Sequence, residues 1–169
     1  TGLYSRRYFK VRYQTELKRG ALRETYAVVV FSIENLDAIS AGFGHEAAPE
    51  AIRCMGAYID KHFGAVGGFS TRQNTNEFVT VLPNSDTAAV EGILQDLIED
   101  FQAHGIRQIQ AGAHKSAASM ENVEFAIRAG LAQGPQGQST VELESIIALA
   151  KRDQKEIARI RCDARGRPN

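Results

Sequence analysis

The run from Thr25 to Ser32 (TYAVVVFS) constrains the fold more than any other stretch of the chain. It is almost continuously β-branched or aromatic and too short for a buried helix, so it predicts a central strand covered on both faces. Downstream, Gly67–Thr71 and Glu77–Leu82 read as two strands joined through Gln73-Asn74-Thr75-Asn76, with Phe78, Thr80 and Leu82 at alternate positions. Asparagine suits that turn because it tolerates positive φ better than most side chains.

Amphipathic helices surround these strands. Phe9, Tyr13 and Leu17 recur at four-residue steps between Arg6 and Arg19, with Ser5 placed to cap the first turn. A short helical piece carries Leu36 and Ile39, and a longer one from Glu46 to His62 puts Ile52, Met55 and Ile59 on one face. Pro49 falls in its first turn, where a missing N–H costs little. Asn84-Ser85-Asp86 starts a helix reaching about Ala103, striped by Val90, Leu94, Leu97 and Phe101. Ile106–Ala113 then reads as a strand and Met120–Gln133 as a helix. The order implies an α/β (α+β) sandwich, a mixed sheet covered by helices.

The C-terminal part is open to two readings. Val141-Glu142-Leu143 suits either a last edge strand or, through Ser139 and Glu142, the capping box of a helix. From there Ile146, Ala150, Asp153, Ile157 and Ile160 step by 4, 3, 4, 3 as a heptad does, with Asp153 weakening the seam. Such a helix either docks on its own domain or connects to a neighbouring one. The division expected is a domain over 1–143 and a helix with a solvated tail over 144–169.

With 169 residues and 43% of them hydrophobic, the chain is long enough for one domain with a substantial core. Lys+Arg and Asp+Glu are equal at 20 each, so net charge gives no pull toward nucleic acid or an anionic membrane, and neither contact is expected. Cys54 and Cys162 lie far apart without CxxC spacing, which suggests neither a zinc site nor a disulfide framework. No apolar run approaches the roughly 20 residues that span a bilayer, and the expected compartment is the cytoplasm.

Three landmarks in order, Thr1-Gly2-Leu3-Tyr4-Ser5-Arg6-Arg7-Tyr8-Phe9, Phe43-Gly44-His45 and Asn74-Thr75-Asn76-Glu77-Phe78, resemble the GGDEF family, whose members condense two GTP molecules into cyclic di-GMP. The resemblance covers about residues 1–143 and implies a nucleotide-cyclase-like sheet of about five mostly antiparallel strands. It also implies that a chain starting inside the first landmark is a piece of a longer protein.

Carried over residue by residue, the resemblance leaves little of the family's chemistry. Magnesium-assisted phosphoryl transfer needs carboxylates to hold the ions and bare backbone to cradle phosphates. The strand aspartate falls at Ser32, the two glycines at Asn74 and Thr75, and the acidic third signature position at Asn76, leaving Glu77 alone of three acids. The base-contacting residues fall at Ser40 and Pro49, and the phosphate-contacting lysine at Gly134. Asp37 stands where many members have lysine. The product-feedback pair falls at Ala65 and Gly68, which lack any guanidinium or carboxylate. Glu34, two residues past Ser32, is the remaining candidate to share a metal with Glu77. Arg72 reads as a strand arginine and His45 as a structural residue at a helix entry.

The resulting expectation is a catalytically inactive GGDEF-like domain, a regulatory or interaction module in cyclic di-GMP-type bacterial signalling, with no cofactor unless magnesium accompanies residual GTP binding. Its expected partners are a sensor or phosphodiesterase domain of the same protein, or a second copy. Two alternatives stand beside it: a pseudo-enzyme that senses GTP or another nucleotide, and a cyclase ligating metal through Glu34 and Glu77.

Overall fold

The computed structural model describes residues 3–19, 25–111, 123–134 and 142–161. Its elements run α1 (Arg6–Arg19), β1 (Tyr26–Ile33), α2 (Leu36–Phe43), α3 (Ala47–Ile59), β2 (Phe69–Arg72), β3 (Glu77–Pro83), α4 (Thr87–Asp100), α5 (Ile106–Ala111), β4 (Glu124–Gln133), α6 (Leu143–Arg152) and β5 (Lys155–Arg161). Single π-helical turns, Asp60–Gly64 and Phe101–Gly105, follow α3 and α4.

The strands form one sheet in the order β2-β3-β1-β4-β5, and all four pairings are antiparallel. A single parallel bridge, Tyr4 to Thr71, adds the segment before α1 to the β2 edge. β1 is the central strand, buried along its whole length. Strand alternation sends Ala27, Val29, Phe31 and Ile33 into one core cluster, shared with buried residues of α2, α3, α4 and α5. Tyr26, Val28 and Val30 enter a second cluster with Phe9 and Tyr13 of α1 and Leu143, Ile146 and Ile147 of α6.

Ser5 caps α1 as expected, its hydroxyl accepting from the Tyr8 amide at 3.2 Å, and Asp86 caps α4 by accepting from Ala89 at 2.8 Å. The hairpin asparagines do not serve positive φ. Among the described residues the one non-glycine with positive φ is Asn84, at 54°, in the turn after β3. Asn74 instead folds the turn by accepting the Asn76 amide at 3.2 Å on its side-chain oxygen.

Three assignments from sequence are corrected. Ile106–Ala111 is helical, because the π turn Phe101–Gly105 lets the helix run on and buries Ile106 and Ile109 three residues apart. Within Met120–Gln133, residues from Glu124 onward form a strand. Val123, Phe125, Ile127 and Ala129 alternate into the core, and that period of two outweighs the helix propensity of Glu, Ala and Leu. The continuous helix from Ile146 to Ile160 is split. α6 ends at Arg152, Asp153 and Gln154 turn the chain, and β5 pairs with β4 from Glu124↔Arg161 to Ala129↔Lys155. Asp153 fixes the turn by accepting the Leu131 amide at 3.1 Å. The sheet therefore includes residues on both sides of position 143. Ser139 and Val141 lie outside the described residues.

Candidate functional site

The sequence-derived site residues gather where β1 ends and the β2–β3 turn passes beside it. Register pairs Ser32 with Glu77 on one side and with Arg128 on the other. Alternation with Val28, Val30, Val79 and Val81 turns Ser32 and Glu77 toward the α1 and α6 face. Both are buried, Ser32 at 4% and Glu77 at 8% exposure.

A buried carboxylate requires a partner, and Glu77 has one. Its Oε1 lies 2.8 Å from Nζ of Lys151, on the last turn of α6, with the Asn74 side-chain amide at 3.4 Å. The Ser32 hydroxyl donates to Oε1 of the exposed Glu34 at 2.7 Å. Arg128 is half-buried, gives Nη2 to the Gln154 carbonyl at 2.8 Å, and leaves Nε buried without a partner. Asn76 closes the end of β1 by donating its amide to the Ile33 carbonyl at 3.2 Å. Lys151 and Arg128 escaped the sequence reading. Lys151 falls inside the helix read from Ile146 to Ile160 and Arg128 inside the one read over Met120–Gln133, and only the pairing of β4 with β1 brings Arg128 beside Ser32.

The turn itself is held from within. Arg72 donates Nε to the Asn74 carbonyl at 3.0 Å and Nη2 to the Thr75 carbonyl at 2.8 Å, so this arginine organises the turn rather than standing free on a strand. Asn74 and Thr75 are exposed.

On the opposite side of the sheet end, a cleft of about 830 Å³ opens between the hairpin and α2–α3. Leu3, Leu36, Ile52, Gly56 and Phe78 line it, with Asp37, Pro49, Arg53, Arg72 and Thr75 also on its wall. Arg53 is engaged by Glu50, Nε to Oε2 at 2.9 Å. Phe78 faces this cleft while Glu77 faces α6, so the cleft and the remaining signature carboxylate are turned to different faces.

The other carried positions lie apart. Ser40 is half-buried on α2, where its carbonyl accepts the Gly44 amide at 2.9 Å. His45 is exposed in the turn before α3. Ala65 and Gly68 precede β2, at the end of the hairpin remote from Asn74–Asn76, with Gly68 donating to the Phe63 carbonyl at 2.8 Å. Gly134 is where the resemblance places a phosphate-contacting lysine. It sits at the Tyr26 end of β1, donating to the Tyr26 carbonyl at 2.7 Å, whereas the cation beside Glu77 is Lys151. Among the described residues no group of three or more His, Cys, Asp or Glu side chains gathers as a metal site would, and no helix is long and apolar enough to cross a membrane.

A five-stranded antiparallel sheet with helices on both faces, and a cleft beside the turn of its hairpin, defines an α+β sandwich domain. The chain matches the family described as diguanylate cyclase, GGDEF domain, over residues 1–156, and it belongs to that family. Its fold is similar to the FimX GGDEF domain from Pseudomonas aeruginosa, at 14% identity and TM-score 0.66 over 90% of this chain and 87% of that one. The active GGEEF domain of a diguanylate cyclase from Vibrio cholerae is similar at 18% identity and TM-score 0.68, covering 89% of this chain and 87% of that one. The coiled coil and GGDEF domain of DgcB from Caulobacter crescentus, in complex with c-di-GMP, aligns at 15% identity and TM-score 0.65, covering 89% and 73%. No curated protein sequence matches the chain.

Proposed function

We propose that this domain does not condense GTP and serves as a regulatory or interaction module in cyclic di-GMP-type signalling. One observation carries the reading: the last signature acid is paired with a protein cation. Glu77, the last signature acid, is held by Lys151 at 2.8 Å, and Ser32 is flanked in register by Arg128. Magnesium prefers several oxygen donors around one ion, with carboxylates supplying the charge. A serine hydroxyl, a lysine-paired carboxylate and an asparagine that donates to Ile33 do not make such a donor set. Glu34, the other candidate ligand, accepts the Ser32 hydroxyl on Oε1 and stands exposed. Side chains at Asn74 and Thr75 also fill the space that paired glycines leave for phosphates.

A neighbouring domain or protein is the natural recipient of such a module's effect. Among the solved structures, DgcB carries a coiled coil and SiaD is in complex with its activator SiaC. The reading is tested by incubating the purified chain with GTP and magnesium or manganese and following cyclic di-GMP and pyrophosphate. Neither product is expected with either metal. Metal-dependent formation of cyclic di-GMP, abolished by Glu77→Gln, overturns the reading.

The cleft favours a second reading, in which a small molecule is bound without being turned over. Its volume of about 830 Å³ falls within the range of about 300–1,000 Å³ that suits small-molecule sites, and occupancy at the hairpin would bias a partner through a population shift.

A further inference from the structure

Equal numbers of acids and bases over the whole chain conceal an uneven distribution. α1 contains six of the 20 basic residues, Arg6, Arg7, Lys10, Arg12, Lys18 and Arg19, and one of the 20 acids, Glu16. Phe9 and Tyr13 point α1 at the sheet, so the opposite face, followed by Arg7, Val11 and Lys18, looks outward. Lys10 is bridged to Glu144 at 2.9 Å and Arg12 lies 3.8 Å from Glu16. Among the described residues Arg7, Lys18 and Arg19 are exposed and have no ion pair.

The outward layer also carries large apolar side chains. Among the described residues four large hydrophobic side chains stand exposed, Tyr8 at 55%, Val11 at 51%, Val66 and Leu149 at 51%, and three of them lie on α1 or on α6, which packs on the same side of the sheet. α6 adds the exposed Arg152 to the cations.

We infer that the outer face of α1 and α6 is a docking surface for an anionic lipid bilayer. Cations interspersed with single apolar side chains are the composition of a helix lying in the headgroup layer, where a tyrosine ring is at home. Two alternatives fit less well. A second copy apposed through this face would bring Arg7, Lys18 and Arg19 against their own like charges. A partner helix seeks an apolar stripe, and here Thr15 and Lys18 follow Tyr8 and Val11 on the next turns, so the stripe ends within one turn. The inference goes beyond the proposed function and does not depend on whether the domain is catalytic.

The test is co-sedimentation of the whole chain with vesicles of phosphatidylcholine alone or with about a third phosphatidylserine. Binding to the anionic vesicles is expected at about 0.1 M salt and its loss at about 1 M, as the screening length drops from ~10 to ~3 Å. Arg7→Glu/Lys18→Glu is expected to weaken binding on the order of thirtyfold or more, from about fivefold per basic residue near the surface. Tyr8→Ser/Val11→Ser weakens it with the salt dependence retained. Arg107→Glu/Lys155→Glu, an equal charge change at exposed positions elsewhere, leaves it intact. All these substitutions are at exposed sites, and unchanged circular dichroism confirms folding. Absence of binding to anionic vesicles at low salt, equal losses in the two charge-reversed variants, or a dimer in light scattering that Arg7→Glu/Lys18→Glu dissociates, overturns the inference.

Discussion

At its Tyr26 end β1 is closed by packing. The phenols of Tyr13 and Tyr26 hydrogen-bond each other at 2.8 Å inside the protein, and Gly134 passes so near the Tyr26 ring that a Cβ there would lie 2.1 Å from it. At its Ser32 end, six residues along the same strand, closure is by polar groups that occupy one another: Ser32 with Glu34, Glu77 with Lys151, Asn76 with the Ile33 carbonyl. The difference teaches where this fold keeps its stability in packing and where polar side chains alone close it. The packed end tolerates little, and the polar end can change its residues while β1 and β3 keep their register.

Substitutions at the two ends should therefore differ in cost, and the largest effect belongs to the packed end. Tyr26→Ala, at a residue 1% exposed, is expected to lower unfolding free energy by about 3–5 kcal/mol in urea titration. A cost near that of a surface site would break the contrast. Gly134→Ala forces a shift against the Tyr26 ring and should cost about 1–3 kcal/mol. Gly134→Lys should cost at least as much and bring no gain in nucleotide binding, since the position is remote from Glu77.

The phenol pair also gives the packed end a pH signature. Burial, reinforced by the hydrogen bond it shares with Tyr26, pushes the Tyr13 phenol well above its ordinary value, and burial pushes Tyr26 up as well. Folded phenols that hold their protons more tightly than unfolded ones contribute stability that is intact below the ordinary tyrosine value of about 10 and is lost as pH rises above it. Thermal unfolding between about pH 8 and pH 11 should show that loss, and Tyr26→Phe should make it shallower. The smallest effect is expected at the polar end. Lys151 is 42% exposed in its side chain, so Glu77→Gln should cost under about 1 kcal/mol by the same urea titration.

The sequence disclosed the packed parts through period and left the polar end half hidden. TYAVVVFS could only be a central strand, and Phe9 with Tyr13, or Val90 with Leu94 and Leu97, showed the faces that α1 and α4 bury. Misreadings cluster after Phe101. There a π turn shifts the helical phase, and β4 is written in residues such as Ala126, Ala129 and Leu131 that favour helices when isolated. Ser32, Asn76 and Glu77 were legible as a site because they are close to landmarks in the chain. Arg128 and Lys151 reach the same place only through β4 pairing and the docking of α6, which no local pattern encodes.

The most direct measurement is a calorimetric titration of the purified domain with GTP in excess magnesium. With Glu77 held by Lys151 and Ser32 lacking a carboxylate, no saturable heat is expected up to millimolar GTP. A saturating isotherm with a dissociation constant below about 100 μM, roughly −5.5 kcal/mol, would contradict the account of a Glu77 site that lacks the donors for magnesium and nucleotide, and would favour the second reading, a domain that binds a small molecule.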